Sequence, residues 1–187
     1  MARFFSMFLI LLLVFITSSF GEEYYGLADE PEVKPNERIV VFIEGDIDYE
    51  TLDALKRIKP SKIMAIALNS PGGRLEPSYM IASYVRANGF VTYIPESAEC
   101  DSGCAIIFQA GSKRVMHRQS SIYYHYVWSP KKGGAHVDND AATLDMVKVM
   151  ENYGMDSVLG QRILTEKRIR IYPVDALKYG IATDVVQ

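Results

Sequence analysis

Short apolar runs alternate along the chain with stretches of helical period. Ile39-Val40-Val41-Phe42-Ile43 is an unbroken apolar run of the kind that fills a buried strand, and Ile63 to Leu68 and Phe90 to Ile94 are two more. Between the first two, Leu52, Leu55 and Ile58 recur three apart within Tyr49 to Ile58, which predicts a helix with one buried face. Glu76 to Ala87 predicts a second helix, closed by Asn88-Gly89. Glu99 to Ala110 reads as a short helix stopped by Gly111, and Ile122 to Trp128 as a β-rich segment. A Gly133-Gly134 loop leads into a helix capped by Asn139 or Asp140 and ended at Gly154. Asp156 caps the next helix, to about Leu164, and Pro173 to Tyr179 is a last helix with Gly180 at its end. Strands of this length alternating with helices define an α/β domain, with mostly parallel pairing through helical crossovers.

Residues 1–21 break the pattern. Their only charged side chain is Arg3, Met7 to Ile16 is apolar throughout, and Thr17-Ser18-Ser19-Phe20-Gly21 supplies small residues for cleavage. This is the make-up of a secretory signal peptide, and the apolar run is shorter than the ~20 residues a membrane-spanning helix needs. The expectation is an exported protein, periplasmic or secreted, held at a membrane only if the segment stays uncleaved. Residues 22–37 are acidic and contain Pro31 and Pro35, so they read as a flexible leader to a domain over 38–187.

Composition narrows the function. The chain of 187 residues has a net charge of −3, and without residues 1–21 it keeps 19 basic against 23 acidic side chains. That balance offers no basic excess for phosphate contacts and excludes nucleic-acid binding. The length suffices for a core without disulfide stapling, so Cys100 and Cys104 need a local explanation.

Three features together carry acyl-transfer chemistry. Asn69-Ser70-Pro71-Gly72-Gly73 follows a buried strand, and adjacent glycines let backbone N–H groups approach a developing oxyanion. Alone, it is an ordinary strand-to-helix turn. Ser102 precedes a helical run, with Gly103 leaving the following N–H open; alone, Ser102 or Asp101 is a helix cap. His125 lies in an aromatic strand, alternating with Tyr123 and Val127. A neutral imidazole is the usual base for a serine hydroxyl, and an interior histidine is the alternative. His117 and His136 fall in turn or loop segments, and no histidine is spaced from the cysteines as a metal ligand.

In this order the motifs resemble the ClpP-like serine peptidases of the ClpP/crotonase superfamily. The carrying residues are Leu68 to Gly73, Ser102-Gly103-Cys104-Ala105 through Ala110-Gly111, Lys113-Arg114, His125 and Tyr179-Gly180-Ile181-Ala182. The resemblance spans roughly residues 39–186 and implies a spiral of β-β-α units. It also implies Ser102 as nucleophile, His125 as general base, and an oxyanion hole from Gly72 or Gly73 with Gly103. A peptide or unfolded-protein substrate would lie as an added strand beside Arg74-Leu75. The resemblance further implies a homo-oligomer, assembled through the helix Ala141 to Tyr153, and no cofactor. Export removes ATP-driven unfoldase partners and the coenzyme A pool on which a crotonase-type activity depends.

One position departs from the family pattern. Arg168 aligns where the family's acidic triad member is expected, and a cation there opposes an imidazolium. Glu166, Asp138 and Asp140 are the acids that could substitute. The alternative is a catalytically weak or inactive binding or scaffold protein that keeps the groove. Cys100 and Cys104 bracket Ser102 at i and i+4; they either form a disulfide clamping that turn, given a non-helical start near Cys100, or pack beneath it as two small buried residues.

Overall fold

The computed structural model describes residues 37–131 and 136–187, together with the backbone of Val14–Phe15. The rest of the expected targeting segment, the leader up to residue 36 and the Gly133-Gly134 loop lie outside the described residues.

Six strands form the main sheet in the order β1-β2-β3-β4-β6-β11. Strands β2 (Ile39–Glu44), β3 (Ile63–Asn69), β4 (Val91–Ile94), β6 (Lys113–His117) and β11 (Asp184–Val186) run parallel, and β1 (Val14–Phe15) pairs antiparallel with β2. The apolar runs earn their place by burial on the sheet: Ile39, Val41, Ile43, Ile63, Ile66 and Leu68 are all buried. Helices α1 (Tyr49–Arg57) and α2 (Leu75–Asn88) make the crossovers. Asp48 and Thr51 start α1 with a reciprocal capping box, and Gly89 ends α2 in the left-handed conformation.

A second sheet stands at one end of the first, in the order β10-β7-β5. Strand β5 (Glu99–Asp101) runs parallel to β7 (Ser121–His125), and β10 (Arg168–Ile171) antiparallel to it. A short hairpin, β8 (Trp128–Pro130) with β9 (His136–Asp138), follows β7. Helix α3 (Gly103–Gln109) is buried along its whole length. Asn139 caps α4 (Asp140–Asn152), Asp156 caps α5 (Ser157–Glu166), and Pro173 opens α6 (Pro173–Lys178). The architecture is the expected mixed α/β one with a mostly parallel central sheet.

Several local expectations need correction. Residues 99–110 are not one helix: Glu99–Asp101 hydrogen-bonds to β7 as a strand, and Ser102 turns the chain before α3 begins. His117 does not lie in a turn but ends β6, buried, and His136 opens β9. Strands β6 and β10 went unpredicted because Lys113-Arg114 and Arg168-Ile169-Arg170-Ile171 carry too few apolar residues to form a run. Strand β6 is held between β4 and β11, and the edge strand β10 by β7. No helix among the described residues is long and apolar enough to cross a membrane.

Candidate functional site

Segments from β3, the β5–α3 junction and β7 converge where the two sheets meet. The turn after β3 is fixed by Ser70, which bridges to Cys100 and whose Oγ donates to the Gly45 carbonyl at 2.6 Å. Gly72 and Gly73 have φ of +94° and +154°. A Cβ on Gly72 would lie 2.7 Å from Ser102 Cβ, and one on Gly73 only 2.3 Å from the Ile47 carbonyl oxygen, so only glycine allows this approach. The Gly72 N–H donates to Ser70 Oγ at 3.0 Å and is occupied. The N–H groups of Gly73 and Gly103 make no hydrogen bond among the described residues. They are neighbours, since a Cβ placed on Gly103 would fall 3.6 Å from Gly73 N. Of the two glycines left open by the sequence, Gly73 therefore has the free donor.

Ser102 has φ +56° and ψ −118°, a conformation unfavourable for a side chain with a Cβ. Its N–H donates to the Tyr123 carbonyl at 2.8 Å, and a disulfide between Cys100 and Cys104 closes the turn around it with Cα atoms 5.2 Å apart. The helix-cap alternative does not describe it, because the Ser102 hydroxyl makes no capping bond to α3.

His125 ends β7. Its Nδ1 lies 2.6 Å from the carbonyl oxygen of Tyr126. A carbonyl only accepts, so Nδ1 carries the proton and Nε2 of the neutral ring keeps its lone pair. The ring stacks on Trp128 at 4.7 Å between centroids, and Trp128 also contacts His136 at 5.7 Å. Ser102 and His125 are not directly hydrogen-bonded to each other, a common state for a site without substrate. Both line one groove of about 390 Å³, shared with Gly72, Gly73 and Gly103 and walled by Leu75, Val127, Trp128 and Met146.

The acids named as substitutes for Arg168 are engaged elsewhere. Glu166 holds Arg162 through two hydrogen bonds, of 2.7 and 3.2 Å, and Arg162 draws its carboxyl below the ordinary value. Asp138 pairs with Lys167 at 2.9 Å, and Asp140, at the start of α4, also acts on Lys167. Arg168 is paired in register with His125 itself. A carboxylate not named among those acids shares a face of the second sheet with His125: Asp101, next to Ser102 and in register with Tyr123. Burial pushes its carboxyl above the ordinary value, Arg170 pulls it back, Glu99 adds to the rise, and His125 lowers it. Its adjacency to Ser102 was visible in the sequence, but the helix expected over 99–110 hid the strand pairing that sets it beside β7.

No protein-family model matches the sequence, and no curated protein matches it. Solved structures do. The chain is similar to the 1510-N membrane-bound stomatin-specific protease, as a serine-to-alanine mutant, at 20% identity and a TM-score of 0.65, over 80% of each chain. A lysine-to-alanine mutant of 1510-N in complex with a substrate peptide matches at 21% and 0.65, over 81% of this chain and 76% of that one. The 1510-N membrane protease specific for a stomatin homolog from Pyrococcus horikoshii matches at 20% and 0.60, over 79% and 72%. The fold is the ClpP/crotonase-like one of these proteases.

Proposed function

We propose that the protein is an exported serine peptidase that cleaves peptides or unfolded chains through Ser102 and His125. The observation that carries this reading is the convergence of a strained Ser102, an imidazole with Nε2 free of its proton, and the two unbonded N–H groups of Gly73 and Gly103. Ser102 Oγ attacks the substrate carbonyl as His125 Nε2 takes its proton, and the oxyanion is received by Gly73 and Gly103. His125 then returns the proton to the departing amine, leaving an ester on Ser102. Water, deprotonated by the same nitrogen, attacks the ester and releases the new carboxyl end. The substrate lies extended beside Arg74-Leu75, and the chain works as a homo-oligomer without an ATP-driven partner.

Cleavage of a reduced, unfolded protein by the wild type, lost in Ser102→Ala and in His125→Ala, is the expected result. A second reading, a binding or scaffold protein, is favoured by Arg168 opposite His125. Peptide binding without turnover, unaffected by His125→Ala, would establish that reading instead.

A further inference from the structure

Strands β5, β7 and β10 place charged groups in two rows across one face of the second sheet. Asp101 and Arg170 both pair in register with Tyr123, and Arg168 pairs with His125, two residues further along the same face. The Arg170 guanidinium lies over the Tyr123 ring and donates close hydrogen bonds to Glu99 and Ser121, each at 2.7 Å. Asp101 receives what is left. Its Oδ2 is 3.9 Å from Arg170, and its Oδ1 is buried with no hydrogen-bond partner. A buried carboxylate oxygen without a hydrogen-bond partner is costly, and a second cation beside Arg170 arises on the same face when His125 takes the serine proton.

We propose that Asp101 is the positioning acid of this site, its carboxylate supplying the negative charge that balances the His125 imidazolium. It does so from the residue before the nucleophile, on the strand that carries the Ser102 turn. The proposal rests on the peptidase reading of Ser102 and His125. The Tyr126 carbonyl fixes the ring's tautomer but brings no net charge, and Arg168 opposes the cation, so a carboxylate is the group the arrangement still requires. Asp101, in register with Tyr123, is a diagonal neighbour of His125 on one face of the β5–β7 pair. Among the described residues, the charged and titratable groups around the ring are Asp101 from β5, Tyr123 from β7, and Arg168 and Arg170 from β10, with His136 in contact with Trp128 and Asp46 lining the same groove.

The test is an NMR titration of the His125 ring in full-length protein carrying Ser102→Ala, with the signal assigned by its loss in His125→Ala. Asp101→Asn should move the His125 midpoint to lower pH by about half a unit or more, and Asp101→Glu should restore most of the shift. In the active protein, Asp101→Asn should lower kcat about 10- to 100-fold with KM little changed, and move the acid limb of the pH profile the same way. An unmoved His125 midpoint in Asp101→Asn overturns the proposal, whether or not the protein cleaves peptides. If that variant does not fold, Arg170→Gln serves: its midpoint should rise, and no change overturns the proposal equally. Cleavage that survives Ser102→Ala would instead sink the peptidase reading while leaving the titration interpretable.

Discussion

Arg168 stands directly opposite His125 across the antiparallel pair of β10 and β7. Side chains so placed share a face of the sheet and have Cβ atoms roughly 5 Å apart. A guanidinium at that distance disfavours the imidazolium that base catalysis must form, although exposure of Arg168 to solvent weakens the effect. The proposed peptidase therefore works with a carbonyl, Tyr126, as the bonded partner of Nδ1, and with an adjacent carboxylate rather than a bonded one.

Replacing the opposing cation tests that relationship. Arg168→Glu should raise kcat/KM about tenfold, because it replaces the opposing cation with a carboxylate beside the imidazolium. Arg168→Gln should give a smaller increase. A fall in both variants, measured on an unfolded-protein substrate, would show that Arg168 serves the reaction rather than opposing it.

The strained turn predicts a stability signature. Glycine adopts φ +56° freely and alanine does not, so Ser102→Gly should be more stable than Ser102→Ala by about 1 kcal/mol in denaturant unfolding. Equal stabilities would mean that the backbone at Ser102 relaxes when the side chain is removed.

The Cys100–Cys104 bond closes a loop of very few residues, so its entropic contribution is small, ~2 kcal/mol. Its effect on function should be larger, since it shapes the turn that presents Ser102. These are the only cysteines in the chain, so mild reductant acts there alone. Activity should fall in reductant and return on reoxidation, and the Cys100→Ser/Cys104→Ser variant should be insensitive. Full activity of the reduced protein would assign the bond a purely structural part.

Asp101 links stability to pH. Its carboxyl is raised in the folded state, so the native protein holds that proton more tightly than the unfolded chain. The associated stability is present below the ordinary carboxyl value and is lost as pH rises through the raised one. Asp101→Asn should therefore melt about 2 °C above wild type at pH 7, and the gap should shrink at acid pH. A gap that widens on acidification would contradict the sign.

Much of this was legible in the sequence, for physical reasons. Ile39 to Ile43 and Ile63 to Leu68 announce themselves because both faces of a central parallel strand are buried. Pro71-Gly72-Gly73, Ser102-Gly103 and His125 could be named because tight turns and proton transfer need those residue types. Strand β5 could not, since Glu99-Cys100-Asp101 has no strand pattern of its own and is held by β7, by the Ser70 bridge and by the disulfide. Nor could the choice of Gly73 over Gly72, which turns on one hydrogen bond from Gly72 to Ser70. The partner of His125 Nδ1 was equally hidden, because a backbone carbonyl carries no side-chain signature.

The central claim is that Ser102 is a nucleophile activated by His125. Reaction of the folded protein with a fluorophosphonate probe, followed by peptide mapping of the adduct, tests it most directly. The account predicts one adduct, on Ser102, strongly diminished in His125→Ala and absent from Ser102→Ala. Labelling of Ser102→Ala equal to wild type, or a folded wild type that takes no label, would contradict it.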